Sequence, residues 1–114
     1  FVFVTIIHVD IQPDSDINPI NTKSEGVLPV AVLSSSFFDA TSVNPDSLRL
    51  GLGEAKSAPH GIHYEDVNSD GIVDLMLQFP IQQINVEAGM SRLCMTGGLP
   101  DGGKFEACDI IRVK

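Results

Sequence analysis

Tryptophan is absent from this chain and tyrosine occurs once. Sugar-binding surfaces commonly lay the ring of the sugar on an aromatic face, so the shortage leaves a glycan-binding role with little support. Basic residues are scarce as well: seven Lys and Arg stand against fifteen Asp and Glu, a net charge of −8. Such a surface repels nucleic-acid phosphates and anionic membranes alike, and neither is an expected partner. Low-complexity tracts and long runs of one charge are missing, while hydrophobic residues make up 43% of the chain. That balance argues for a packed fold and against disorder.

Long apolar runs are also lacking. The opening residues FVFVTIIHV are strongly apolar, but nine residues are too few to cross a bilayer, and no basic flank or small-residue cleavage site accompanies them. They read as a strand, and membrane insertion is not expected. Catalytic signatures are equally sparse. Ser34-Ser35-Ser36 lacks the glycine-flanked elbow of a nucleophilic serine. Gly51-Leu52-Gly53 lacks the Lys-Ser/Thr and the helix that a phosphate loop needs, and reads as a turn. His60 and His63 are three apart beside acidic residues, yet no third zinc ligand stands at a suitable spacing, and His8 in its apolar strand reads as structural. No catalytic residue is assigned, and the chain is not expected to be an enzyme.

What is present is a series of short β-prone segments. At 114 residues the chain is expected to form a single domain, 1–114. Residues 1–11 are rich in β-branched side chains and end at Pro13; residues 12–26 carry Pro, Asp, Asn and Ser and read as a long polar connection. The segment 27–33, VLPVAVL, is apolar on both alternating faces, a strand covered on two sides, and Pro29 is expected to put it at an edge or bulge. Residues 37–41 fit a helical turn or crossover, 48–50 and 63–65 fit short strands, and 51–61 fit a loop. In 72–79 the periodicity of two puts Val73, Leu75, Leu77 and Phe79 on one face and Asp74, Met76 and Gln78 on the other, with Pro80 as the stop. Strands are further expected at 84–86, 92–96 and 104–113. Seven or eight short strands with no sustained helical period predict an all-β, antiparallel β-sandwich, Ig-like or jelly-roll-like.

Cys94 and Cys108 bracket the turn-rich stretch Gly97 through Gly103 at hairpin spacing. Two outcomes fit: a disulfide, worth about 3 kcal/mol in the chain-entropy model and implying an oxidising compartment, or two buried reduced thiols. The disulfide is the expectation adopted.

The strongest signal is the segment Asp66-Val67-Asn68-Ser69-Asp70-Gly71-Ile72-Val73-Asp74. A calcium loop needs hard oxygen ligands from a few consecutive residues and a bend sharp enough to bring them round one ion. Asp66, Asn68 and Asp70 stand at positions one, three and five, Gly71 supplies the bend at six, Ile72 offers a backbone carbonyl at seven, and Asp74 stands at nine. Position twelve is Leu77 rather than the Glu of an EF-hand, and the following residues alternate like a strand. The loop is similar to the D-x-[DN]-x-D-G-x-x-D loops embedded in β-structure, such as integrin-type propeller repeats, in which the ninth position closes the site. Without a cation, three carboxylates in nine residues repel one another. Magnesium suits the segment less well because it retains water and demands stricter octahedral geometry. Glu65 and Asp10, weighed as further ligands, are expected to be surface carboxylates.

Four segments together, VDIQP at 9–13, INPIN at 17–21, GVLPVAVL at 26–33 and EDVNSDG at 65–71, resemble a poorly characterised module family of secreted and surface proteins of bacteria and archaea. The family pattern runs IDIKPGS, INPxSxGxIPVAIL and EDVNGDGxxDLVLHF, often with a late cysteine pair. Asp14 departs from its glycine and Gln78 from its frequent histidine. The resemblance implies an extracellular, calcium-binding β-sandwich without catalysis. The expected role is a structural module in a cell-surface protein or filament, its partners being neighbouring domains or subunits joined by strand addition through the N-terminal strand. A calcium-dependent carbohydrate-binding or adhesion module, with glycans as partners, is the alternative.

Overall fold

A computed structural model of the chain describes residues 7–13, 15 and 18–113. Nine strands occur among the described residues: β1 (His8–Ile11), β2 (Pro19–Ile20), β3 (Val27–Leu33), β4 (Arg49–Leu50), β5 (His63–Glu65), β6 (Asp74–Pro80), β7 (Arg92–Gly98), β8 (Lys104–Ile110) and β9 (Arg112–Val113). They form one sheet in the order β1-β3-β6-β5 and a second in the order β4-β7-β8, every pair in these two sheets being antiparallel. A short parallel pair joins β2 to β9. This is the arrangement of a constant-type immunoglobulin sandwich, four strands facing three, so of the two expected architectures the Ig-like one describes the chain.

Alternation builds the core. Val9 and Ile11 of β1, Leu28, Val30 and Val32 of β3, and Leu75, Leu77 and Phe79 of β6 are buried, and they form one cluster with Leu50 of β4, Leu93 and Met95 of β7, and Ala107 of β8. The face expected for Leu75, Leu77 and Phe79 is therefore the inner face. Val73 precedes the strand and is 46% exposed, contrary to its expected place on that face. The N-terminal strand is described from His8 only, so the expectation for residues 1–6 and the departure at Asp14 lie outside the described residues.

Two further sequence expectations are corrected. The strand β3 is not an edge: it lies between β1 and β6. Pro29 is tolerated because its donorless nitrogen faces the point where β1 ends. Gln12 N–H donates to Pro29 O at 2.8 Å, and the Gln12 carbonyl, which a residue other than proline would have served, instead accepts Ser15 N–H at 2.7 Å. Residues 84–86 are not a strand either. Pro80 leads into a one-turn helix, α1 (Ile81–Ile84), whose Ile81 and Ile84, three apart, are both buried, and Asn85 ends it in the left-handed region at φ 61°. Gly53 packs against this helix so closely that a Cβ would lie 2.1 Å from Gln83 O.

The open side between β1 and β8 is closed by side chains. Asp109 Oδ2 accepts Ile11 N–H and Asn18 Nδ2, both at 3.0 Å, and Asn18 Nδ2 also donates to Ile110 O at 2.7 Å. Asn18 is buried at φ 50°, and its Oδ1 has no hydrogen-bond partner among the described residues. In the second sheet Cys94 and Cys108 stand directly opposite one another in the β7–β8 register and are joined by a disulfide, which overturns the alternative of two reduced thiols.

Candidate metal centre

The acidic segment is the connection of the β5–β6 hairpin, between the paired residues Glu65 and Asp74. Two residues allow its path: Ser69 at φ 60° and Gly71 at φ 85°, the latter with open space where a side chain would stand. The bend turns the carboxylates of the loop toward its own backbone. Asp66 Oδ1 accepts Asp70 N–H at 3.2 Å and Oδ2 accepts Gly71 N–H at 2.8 Å, while Asp70 Oδ1 accepts Ile72 N–H at 2.9 Å. The Gly71 N–H, with smaller help from the Asp70 backbone and side chain and from Ser69, holds the Asp66 carboxyl below its ordinary value against a smaller opposing effect of desolvation.

Asp74 differs from the other two. It faces outward from the first sheet, opposite to Leu75, yet it is 0% exposed. Its Oδ1 accepts Ser34 N–H at 2.7 Å from the end of β3, and its Oδ2 accepts Val67 N–H at 3.1 Å from the loop. The carboxylate thereby ties the loop to the sheet, and each oxygen keeps acceptor capacity beyond its one N–H. Ser34 is the residue that sequence reasoning missed. It is buried, its Oγ donates to Val73 O and accepts Ala40 N–H, and a single small hydroxyl residue at a strand end gives no pattern from which this could be read.

Asp66, Asp70 and Asp74 each bring one oxygen into a group in which all three lie within 4.8 Å of one another. For calcium–oxygen bonds of about 2.3–2.6 Å, opposite ligands of one ion stand about 5 Å apart and neighbouring ones closer, so the donor set fits a calcium ion in both chemistry and span. The Asn68 carboxamide sits at the same point. With its nitrogen turned inward it donates to Asp66 Oδ1 at 3.1 Å and Asp70 Oδ1 at 3.0 Å; turned the other way, its oxygen faces those two acceptors. The first orientation satisfies the hydrogen bonds of the loop.

Of the expected ligands, the structure thus brings together the side chains of Asp66, Asn68, Asp70 and Asp74, with Ile72 following Gly71 in the same bend. Glu65 is not in the group; its Oε1 lies 3.1 Å from His63 Nε2 in an exposed pair. Asp10 stands on β1, separated from β6 by β3. The other cluster of metal-ligating residue types, Cys94, Glu106 and Cys108, contains both sulfurs of the disulfide and so has no thiolate to offer. No helix of the described residues is long and apolar enough to cross a membrane. No protein-family model, curated protein or solved structure matches the chain.

Proposed function

We propose that this chain is a non-enzymatic, calcium-binding structural module of an extracellular or cell-surface assembly. The observation that carries the proposal is the meeting of carboxylate oxygens of Asp66, Asp70 and Asp74 within 4.8 Å on a hairpin bend, with the Asn68 carboxamide beside those of Asp66 and Asp70. Calcium would be held by carboxylate oxygens of Asp66, Asp70 and Asp74, the Asn68 carboxamide oxygen and the Ile72 carbonyl. Its charge would offset the mutual repulsion of the carboxylates and join the β5–β6 hairpin to the end of β3 through Asp74. Calcium suits this flexible oxygen set better than magnesium, which holds its own waters.

The disulfide supports an oxidising, extracellular setting. Free calcium there is near millimolar, and a site with a dissociation constant of about 0.1 mM adds roughly 1.4 kcal/mol of folding stability through linkage. An occupancy that is nearly constant suits stiffening rather than sensing. The apolar N-terminal segment supports a place among neighbouring domains or subunits of a filament or surface layer, joined by strand addition. Isothermal titration of the chelator-stripped chain with calcium tests the metal reading: one bound ion is expected, lost in Asp70→Asn, and an absence of binding at millimolar calcium defeats it. Deleting residues 1–6 tests the assembly reading, with unchanged self-association as the defeating result.

A further inference from the structure

On the outer face of the first sheet lies a cleft of about 380 Å³ between the acidic loop and the turn that follows β1. Its volume falls in the range of small-ligand sites. Its lining includes the apolar residues Met76 and Pro29, the acidic residues Glu65 and Asp66 on the loop side, and Gln12 and Ser15 on the side of the turn, where the Gln12 amide donates to Pro19 O and the Ser15 hydroxyl accepts Asn18 N–H. The cleft follows from the chain path: β1 turns off at Gln12, where φ is 51°, so that Pro29 keeps its β6 partner Gln78 on one side and lies beyond the end of β1 on the other.

We infer that this cleft docks a basic side chain, lysine or arginine, presented by a partner polypeptide. An aliphatic stem carrying a cationic head matches both parts of the lining, methylenes over Met76 and Pro29 and charge toward the carboxylates. The chain's net charge of −8 favours approach of a basic partner. Glu65 is the anchor. Both oxygens of Asp66 already accept backbone N–H groups inside the loop, whereas Glu65 has an exposed contact with His63 that an incoming cation can displace. Glu65 is outside the group of Asp66, Asp70 and Asp74, so the anchor is not one of the proposed calcium ligands, whereas Asp66 belongs both to the lining and to that group.

The test is an NMR titration of the whole chain, in chelator and again in calcium, with Nα-acetyl-lysine N-methylamide and its neutral norleucine counterpart. The lysine compound is expected to shift the Met76 methyl and the Ser15 and Glu65 amides, and to bind about five-fold more tightly than the norleucine compound. Glu65→Gln, on an exposed strand, is expected to remove that advantage while leaving the thermal midpoint in place; should it disturb the fold, the comparison of the two compounds on the unaltered chain decides. Salt raised from about 20 to about 300 mM should weaken the lysine compound alone. Equal binding of both compounds, shifts mapping outside the cleft, a folded Glu65→Gln that binds lysine unchanged, or the same shifts from a neutral methyl glucoside would each overturn the inference.

Discussion

Two hairpins of this sandwich close on an Asp-Gly pair with the glycine at positive φ, Gly71 at 85° and Gly102 at 91°, and they are secured in different ways. The β7–β8 hairpin has a register of seven residue pairs with a disulfide among them, and its turn is closed by Leu99 N–H to Gly103 O at 2.7 Å. The β5–β6 hairpin has three pairs and an eight-residue connection that carries the carboxylates of Asp66 and Asp70 and ends at that of Asp74. A covalent staple on a long ladder holds in any solution that does not reduce it. A short ladder closed by carboxylates depends on what the solution contains. The same topology thus holds one hairpin closed by a covalent bond and one closed by hydrogen bonds to carboxylates.

Removing the staple should have the largest effect. Replacing both cysteines by serine is expected to cost about 3 kcal/mol, seen as a fall of roughly 10–20 °C in thermal midpoint, since the bridge closes a loop of about fifteen residues in the unfolded chain. The loss should be the same in calcium and in chelator. A loss that depended on calcium would show the hairpins to be energetically coupled and would break the contrast between them.

Next in size is Asp74→Asn. The amide keeps one oxygen for either Ser34 or Val67 and turns a donor toward the other N–H, so a buried hydrogen bond to a charged group is lost. A cost of about 2 kcal/mol is expected from urea unfolding, and it should persist in chelator because the two N–H contacts do not require an ion. A variant destabilised only in calcium would instead make Asp74 purely a ligand. Calcium itself ranks third. About 1.4 kcal/mol separates 1 mM calcium from chelator for a site of about 0.1 mM affinity, and Asp70→Asn should abolish the difference while leaving the cysteine effect intact.

The contrast between the hairpins also explains what could be read in advance. Segments with a local strand pattern were legible: β3 coincides with the doubly apolar run 27–33 and β5 with 63–65, and the period of two in 72–79 gave the inner face of β6 through Leu75, Leu77 and Phe79. The disulfide was legible because its spacing suits two adjacent strands. The cluster of Asp66, Asp70 and Asp74 was nameable because its carboxylates come from closely spaced residues of one turn. What escaped depends on distant partners. Pro29 reads as an edge residue until Gln12 and Ser15 are seen to exchange the missing bond. Residues 81–84 form a helical turn because Ile81 and Ile84 can both reach the core, a tertiary reward that outweighs the local strand preference of isoleucine. The two-residue strands β2 and β9 and the Asn18–Asp109 closure depend on groups more than ninety residues apart. Ser34 is silent in the sequence because its role comes from standing next to Asp74 in space.

The smallest predicted effect concerns acid. Asp66 is held below its ordinary value of 3.8 chiefly by the Gly71 N–H, so its ionised form is favoured in the folded loop more than in the unfolded chain. Such a group contributes its stability fully above 3.8, and the contribution fades as the pH falls through the lower folded value. In chelator, the unaltered chain should therefore lose more stability below about pH 4 than Asp66→Asn does, and the two curves should approach one another at the acid end. Urea midpoints measured from pH 6 downward give the comparison. Curves that stay parallel would mean that the loop gains nothing from the Asp66 charge before an ion arrives, and the burden of closing the β5–β6 hairpin would then fall on Asp74 alone.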